Sequence, residues 1–319
     1  MTHQEHIPVL AQPFIDALIT DPDGQYVDAT FGRGGHARMI LQRLSEKGHL
    51  LGLDRDPQAI ETGLLLSQED TRFQIEHADF AHIQEAVEDV QWQHVSGIAF
   101  DLGVSSPQLD QAERGFSFQA DGPLDMRMNP DEGKPLFQRL KSISEKELTQ
   151  IIRDYGDERF AGRIARKIIQ AVKANELSTT RQLENICFHA APANARHGST
   201  HPATRTFQAL RIWVNDEYGQ LNTAINSAIS LLAPHARLAV ISFHSGEDRR
   251  IRDIIENQVR PCKCPPEFPM CVCGKLPTMK WIQKKPIRAS DEELEINPRS
   301  RSAMLRVAER LPAPSGLVS

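Results

Sequence analysis

Between residues 25 and 103, short apolar runs alternate with amphipathic stretches. "QYVDAT" (25–30), "HLLGLD" (49–54), "FQIEHADF" (73–80) and "VSGIAFDLG" (95–103) read as buried strands. Between the first two, "HARMILQRL" sets Met39, Ile40 and Leu44 at helical spacing, and "DPQAIETGLLL" after the second strand predicts another helix. Strands alternating with helices predict an α/β fold with a parallel, doubly wound sheet.

The rhythm then breaks. Residues 104–135 are rich in Gly, Pro, Ser and Asp and predict a long ordered loop. "SEKELTQIIRDYG" opens with a Ser/Glu capping pattern at Ser144 and Glu147. "DERFAGRIARKIIQAVK" carries Phe160, Ile164, Ile168 and Val172 in four-residue steps, another helix. The pattern predicts no strand before about residue 235, so residues 110–210 read as a helical insertion between a first part, 1–109, and a second part, 211–319. A long helix over roughly 207–232 leads back to the strand "RLAVISFH", and "MKWIQKK" and "SAMLRVAER" predict closing strands. Ligands of such sheets sit at the carboxyl ends of the strands.

The 319 residues are 40% hydrophobic and 25% charged, ordinary for a soluble globular protein. The net charge of −5 means that nucleic-acid binding must rest on a local basic patch. The polar start "MTHQEHIPVL" lacks an apolar signal core, and no apolar run approaches the ~20 residues of a membrane span. Four of the five cysteines fall within twelve residues, which is no disulfide framework and predicts an intracellular, cytoplasmic protein.

The densest chemistry is "VDATFGRGGHAR", residues 27–38. Gly32, Gly34, Gly35 and Ala37 spell G-x-G-G-x-A between a strand and a helix, and Asp54 ends the second strand. An acid at that place accepts both ribose hydroxyls of a nucleoside. The motif alone does not separate NAD from S-adenosylmethionine. Asp79 and Phe80 suit an adenine site, a polar anchor beside a ring face, although Phe80 also reads as core. Asp101 ends the fourth strand, and Ser105-Ser106-Pro107-Gln108 follows as a tight turn facing the ligand crevice.

"HIPVL", "DATFGRGGHA", "DRDPQAI", "DLGVSSPQLDQAERGFSFQADGPLDMRM", "YGDERFAGRIARKI", "HPATRTFQALRIWVNDE", "ISFHSGEDR" and "NPRSRSAMLRVAER" run from about His6 to Arg310. Together they resemble the bacterial 16S rRNA cytosine-N4 methyltransferase family. The resemblance implies a Rossmann-like class I S-adenosylmethionine-dependent methyltransferase with an inserted α-helical domain for substrate RNA. It implies S-adenosylmethionine as methyl donor and, as acceptor, cytidine 1402 in the P-site region of 16S rRNA, within the small ribosomal subunit. Carried over residue by residue, Gly34, Gly35, His36, Asp54, Phe80, Asp101 and Gln108 are the expected donor contacts. Nucleobase amino-methyltransferases place a turn similar to Ser105-Ser106-Pro107 after the fourth strand. Acceptors there grip the N–H bonds of an exocyclic amine whose lone pair is conjugated into the ring, and hold it in line with the methyl. Gly246 stands where the family usually has Leu, and Ala289 where it often has Pro.

Other clusters stay open between a functional and a structural role. "FHSGEDR" places His244 and Ser245 after the fifth strand; His244 is a candidate proton acceptor or a structural hydrogen-bonding group, and Phe243 covers a flipped base or fills core. His201, Arg205 and Arg211 suit RNA contacts or interface ion pairs. Arg159, Arg163, Arg166 and Lys167 form a basic helix face, and Arg299 and Arg301 a basic loop, for RNA or for solvent. Cys262, Cys264, Cys271 and Cys273 (C-x-C-x6-C-x-C) suit structural zinc or free thiols, and Cys187 reads as core. A DNA cytosine-N4 methyltransferase, a nicotinamide-dependent oxidoreductase and a non-catalytic ribosome-assembly binder are the competing readings. The sequence says nothing of oligomeric state.

Overall fold

The computed structural model describes residues 8–196, 198, 200–265, 267 and 270–313, and the backbone but not the side chains of Ser106 and Pro107. The chain forms two compact units: residues up to Gly103 with those from Gln220 onward, and Val104–Gly219. The second is wider at both ends than the insertion over 110–210 drawn from the sequence.

In the first unit, α1 (Ala11–Leu18), β1 (Gln25–Asp28), α2 (Gly35–Arg43), β2 (His49–Asp54), α3 (Pro57–Glu69), β3 (Phe73–His77), α4 (Ile83–Asp89) and β4 (Val95–Asp101) follow in order. The second unit holds α5 (Ser106–Asp110), α6 (Leu136–Arg139), α7 (Glu145–Gly156), α8 (Ala161–Lys173), α9 (Thr180–Ala190) and α10 (Thr204–Asn215). Then come α11 (Glu217–Leu231), β5 (Leu232–Ser242), α12 (Ser245–Val259), β6 (Met279–Trp281), α13 (Asp291–Ile296) and β7 (Met304–Arg310).

The seven strands order as β3-β2-β1-β4-β5-β7-β6. β1 lies parallel to β2 and β4, β2 to β3, and β4 to β5; β7 runs antiparallel to β5 and β6. This is a doubly wound, Rossmann-like α/β sheet, as the sequence predicts, with an antiparallel pair closing one edge. Alternation along the strands builds two cores. Val27, Leu51, Leu53, Ile98, Phe100 and Val240 pack with Leu221, Ile225, Ile251 and Ile255 on one face. Tyr26, Leu50, Ala99, Ile241 and Val307 pack with Phe14, Leu18, Ile40 and Leu66 on the other. The hydrophobic pattern predicts nothing before Gln25, yet α1 buries Phe14, Ile15 and Leu18. Its entry is fixed from afar: the Leu10 N–H donates to Glu293 Oε1 at 2.7 Å. Ala289 packs against the second core just ahead of Ser290, which caps α13.

Three expectations need correction. The single helix over 207–232 is two, because Asp216 takes a left-handed conformation (φ 48°) between α10 and α11. The long loop over 104–135 contains α5 and a short 3-10 turn, Ala112–Arg114. The "tight turn" at 105–108 is the start of α5. Ser105 and Gln108 stand in the Ser-x-x-Gln spacing of a capping box, the Ser105 N–H donates to Gln108 Oε1 (3.0 Å), and proline is compatible with a first helical turn.

The second unit has its own core, with Phe116, Leu124, Met126, Leu148, Ile164, Leu183, Phe207 and Leu210. Buried Cys187 belongs to it, and burial pushes its thiol up to about 12, so it stays protonated. The capping box read at Ser144 and Glu147 is formed. Buried Asn215 ties the loop to α10: its Oδ1 accepts from Met128 N–H (2.8 Å) and its Nδ2 donates to Met126 O (2.7 Å). Arg114 donates to Met128 O at 2.8 Å. The "GFSFQADGPLDMRM" and "RIWVNDE" blocks are thus joined through one amide.

Candidate active site

β1, β2 and β4 are neighbours, and each ends in an aspartate: Asp28, Asp54 and Asp101. The loop from β1 reaches α2 through Gly32, Arg33 and Gly34. Gly34 sits at φ 75°, and a Cβ there would fall 2.8 Å from the Phe31 ring, so only glycine fits. Gly35 opens α2. Arg33 clamps the loop by donating to Gln58 and Thr62 of α3.

Asp54 faces this loop. Its Oδ2 accepts from Gly32 N–H at 2.7 Å and its Oδ1 from Asp56 N–H at 2.9 Å. Burial raises its pKa, against the lowering by those two backbone hydrogen bonds. A carboxylate oxygen has more than one acceptor site, so capacity for ribose hydroxyls remains.

His36, on the first turn of α2, is buried and links the segment ahead of α1 to the end of β4. Its Nε2 lies 3.0 Å from Val9 O and its Nδ1 3.4 Å from Asp101 Oδ2. Burial works against the charged ring, but the hydrogen bond and charge of Asp101, with Asp28, shift its pKa upward.

Asp28 was not among the residues singled out from the sequence. It is 2% exposed, and burial pushes its carboxyl up to about 6, opposed by His36 and reinforced by Asp101 and Asp54. Its Oδ1 accepts from Thr30 N–H at 3.2 Å, while its Oδ2 is buried with no partner among the described residues. Asp101 Oδ1 is likewise buried and unpartnered among the described residues, and the Asp101 N–H donates to Thr30 Oγ1 at 2.6 Å. A buried acceptor without a partner is costly unless something fills it. The only signal in the sequence was an acid ending an apolar strand just before the glycines.

Phe80 meets Phe100 edge-on with centroids 6.1 Å apart, packing against the core. Asp79 uses Oδ1 to cap a 3-10 turn through Ala81 N–H (2.9 Å), and Gln220 donates to its Oδ2 at 3.4 Å. The structure therefore gathers Gly34, Gly35, His36, Asp54, Phe80 and Asp101 in the first unit. Gln108, with Ser105, Ser106 and Pro107, belongs to the second. Gln108 is buried and holds Ser105; the Ser105 carbonyl accepts from Leu109 N–H at 3.3 Å. The side chains of Ser106 and Pro107 lie outside the described residues.

His244 caps α12. Its Nδ1 accepts from Glu247 N–H at 3.3 Å, and its Nε2 stands 2.9 Å from Glu247 Oε1. Glu247 Oε2 returns to accept from Phe243 N–H at 3.0 Å. Gly246 lies inside that cap.

Most basic residues picked from the sequence have structural partners. Arg211 makes a two-pronged bridge to Glu217 (both 2.8 Å). His201 lies 3.2 Å from Glu184, and Arg205 donates to Asp157 O. Arg163 and Lys167 donate to Ala190 O and His189 O at the end of α9. Arg166 reaches Glu145 at 3.4 Å, both largely exposed. Arg159 is exposed ahead of α8, and Arg299 and Arg301 are exposed on a 3-10 turn, Pro298–Ser302.

Among the described residues, no helix is long and apolar enough to cross a membrane. Residues 3–311 match the MraW methylase family. The chain is 47% identical over 308 residues to the ribosomal RNA small subunit methyltransferase H of Heliobacterium modesticaldum, covering 96% of this chain and 98% of that one. It is 47% identical over 306 residues to the protein of the same name from Nitrosococcus oceani, covering 96% of each. An rRNA methylase from Streptococcus thermophilus aligns over 94% of this chain and 92% of that one, at a TM-score of 0.40 and 10% identity, too loose a likeness to argue from. The family match spans almost the whole chain, and the chain belongs to the MraW methylase family.

Proposed function

We propose that this chain methylates the N4 amine of a cytidine in 16S rRNA, with S-adenosylmethionine as donor. The observation that carries the donor assignment is the pair of buried carboxylate oxygens, Asp28 Oδ2 and Asp101 Oδ1, left unpartnered at neighbouring strand ends. Membership of a methylase family and the names of relatives at 47% identity support rRNA as the substrate class.

When bound, S-adenosylmethionine supplies a methyl group on a sulfonium sulfur. The residues present fit it. Asp28 and Asp101 accept from an ammonium, Asp54 from ribose hydroxyls, and the bare backbone at Gly34 admits a close approach. Phe80 offers a ring edge to a base. Three acids at adjoining strand ends, Asp28 buried and Asp54 and Asp101 partly so, favour a cationic ligand. They disfavour the dianionic pyrophosphate of a nicotinamide dinucleotide, which would meet like charges.

The acceptor is a poor nucleophile until its N–H bonds are held. We assign that task to Ser105, Ser106 and Pro107, which follow Asp101 along the chain. The Ser105 carbonyl, engaged once by Leu109, keeps a second acceptor site. His244, fastened to Glu247, is the next group to test. Cytidine must leave its stack for its exocyclic amine to be methylated, and the helical unit offers RNA a surface of its own.

The test is methyl transfer to small-subunit particles from a strain lacking this gene, followed by nucleoside mass spectrometry. One N4-methylcytidine in 16S rRNA is expected. A methyl on carbon 5 or on ribose, or transfer to DNA alone, overturns the assignment. Tight rRNA binding without transfer favours an assembly binder.

A further inference from the structure

The segment between α12 and β6 takes no part in the proposed methyl transfer, and it is built unlike the rest of the unit. At its base, Thr278 donates to Gln258 through both its N–H (3.0 Å) and its hydroxyl (2.7 Å). None of the described residues from Pro261 to Pro277 is buried. Met270 and Val272 are 77% and 73% exposed. The described residues of this segment therefore supply no hydrophobic core of their own to hold it.

What converges instead is sulfur. The Sγ atoms of Cys262, Cys264, Cys271 and Cys273 all lie within 4.8 Å of one another. Cys271 stands 3.4 Å from Cys262, 3.4 Å from Cys273 and 3.9 Å from Cys264. Four thiolates about 2.3 Å from one zinc, at the corners of a tetrahedron, lie about 3.8 Å apart. A disulfide needs sulfurs about 2.05 Å apart, and all four cysteines are free. Gly274, directly after Cys273, takes a left-handed conformation (φ 65°).

We propose that Cys262, Cys264, Cys271 and Cys273 hold one zinc ion as a closed structural site. Each thiol gives its proton to solvent as its sulfur binds, and zinc stays divalent, so the step needs no oxidant or reductant. The site carries two net negative charges, and Lys263 and Lys275 flank it in the sequence. Binding energy supplied by the metal holds together described residues that bury no side chain. Four sulfur ligands leave no open position, so the ion has no catalytic role. The proposal is independent of the methyl-transfer reading.

The experiment uses the full chain, expressed with zinc in the medium and purified under reducing conditions without chelator. Elemental analysis should give about one zinc per chain, retained through gel filtration in a weak chelator. A mercurial that titrates the thiols should release that zinc stoichiometrically. Cobalt exchanged into the parent should show the visible absorption of a tetrahedral tetrathiolate. Cys264→Ser and Cys271→Ser should lose the metal, while Cys187→Ser keeps it. Zinc washed out by the weak chelator marks adventitious binding and overturns the proposal. So do four titratable thiols without metal, iron in place of zinc, or a mass four hydrogens low from two disulfides. The cobalt and mercurial measurements on the parent decide the matter even if a variant fails to fold.

Discussion

The carboxyl ends of β1, β2 and β4 and the basic face of α8 invite opposite readings, and the structure reverses their apparent strength. In the sequence the run of Arg159, Arg163, Arg166 and Lys167 is conspicuous, and Asp28 passes unnoticed. In the fold, Arg163 and Lys167 satisfy carbonyls at the end of α9, and Arg166 leans on Glu145. Asp28 and Asp101 instead keep a buried oxygen each without a partner among the described residues. A basic side chain finds a carbonyl or a carboxylate easily, so its charge says little about a ligand. A buried carboxylate oxygen left alone is expensive, so it points to a donor from outside the described residues.

If the strand ends hold the donor while residues 105–107 hold the amine, substitutions should separate the two. The largest effect is expected at Pro107. Pro107→Gly loosens the start of α5 and should slow single-turnover methylation of small-subunit particles roughly 10- to 1000-fold through lost positioning. Donor affinity should stay as it was. Pro107→Ala, which keeps helical propensity, should recover part of the rate. An unchanged rate in Pro107→Gly moves the amine elsewhere, and His244→Ala is then the variant to measure.

Asp54→Ala comes next. A buried ribose loses a charge-assisted acceptor worth roughly 1.5–3 kcal/mol, about a 10- to 100-fold weaker donor by calorimetric titration. Binding of rRNA should not change. NADH should bind neither protein; equal binding of NADH and the methyl donor by the parent removes the basis for reading these acids as a cation site.

Asp28 tests the unpartnered oxygen directly, because function and stability should move in opposite directions. Its folded pKa, about 6, lies above the ordinary 3.8, so the fold favours the protonated form. The stability this gives is complete below pH 3.8 and is lost as pH rises through about 6. Asp28→Asn should therefore be more stable than the parent at pH 8, by up to about 3 kcal/mol, and should lose that advantage below pH 4. Donor affinity at pH 8 should fall. His36, shifted upward as well, contributes in the same direction, so variant and parent are compared at each pH. Equal melting temperatures at pH 8 mean that Asp28 is satisfied within the chain.

The strands, the glycine loop and Asp54 were legible because each is written in local pattern: alternation, dense glycine, an acid at a strand end. Asp28 was not, since burial of an acid is a property of three strands and α2 together. The start of α5 was written in Ser105-Ser106-Pro107-Gln108, but a serine-proline pair reads equally as a turn until Gln108 is seen to reach back. The break at Asp216 carried only a weak cue, Asn-Asp without glycine or proline. The Arg211–Glu217 bridge, six residues apart, was open to inspection. The partners of Arg163 and Lys167 are backbone carbonyls of another helix, which no side-chain pattern announces.

The smallest expected effect concerns what remains of the basic face. Reversing Arg163 would strip a donor from the end of α9 and confuse RNA binding with stability. Arg159 and Arg166 are the cleaner pair, since one is exposed without an ion pair among the described residues and the other holds an exposed one at 3.4 Å, worth about 0–1 kcal/mol. If these two touch phosphate, Arg159→Glu with Arg166→Glu should weaken rRNA binding several-fold at moderate salt. The slope of log affinity against log salt should fall by roughly 1–2, since each lost phosphate contact removes about 0.7–0.9. Donor affinity and melting temperature should hold. An unchanged salt slope makes the whole face of α8 structural, its strongest charges closing a neighbouring helix, and leaves Arg299 and Arg301 as the basic residues to try against RNA.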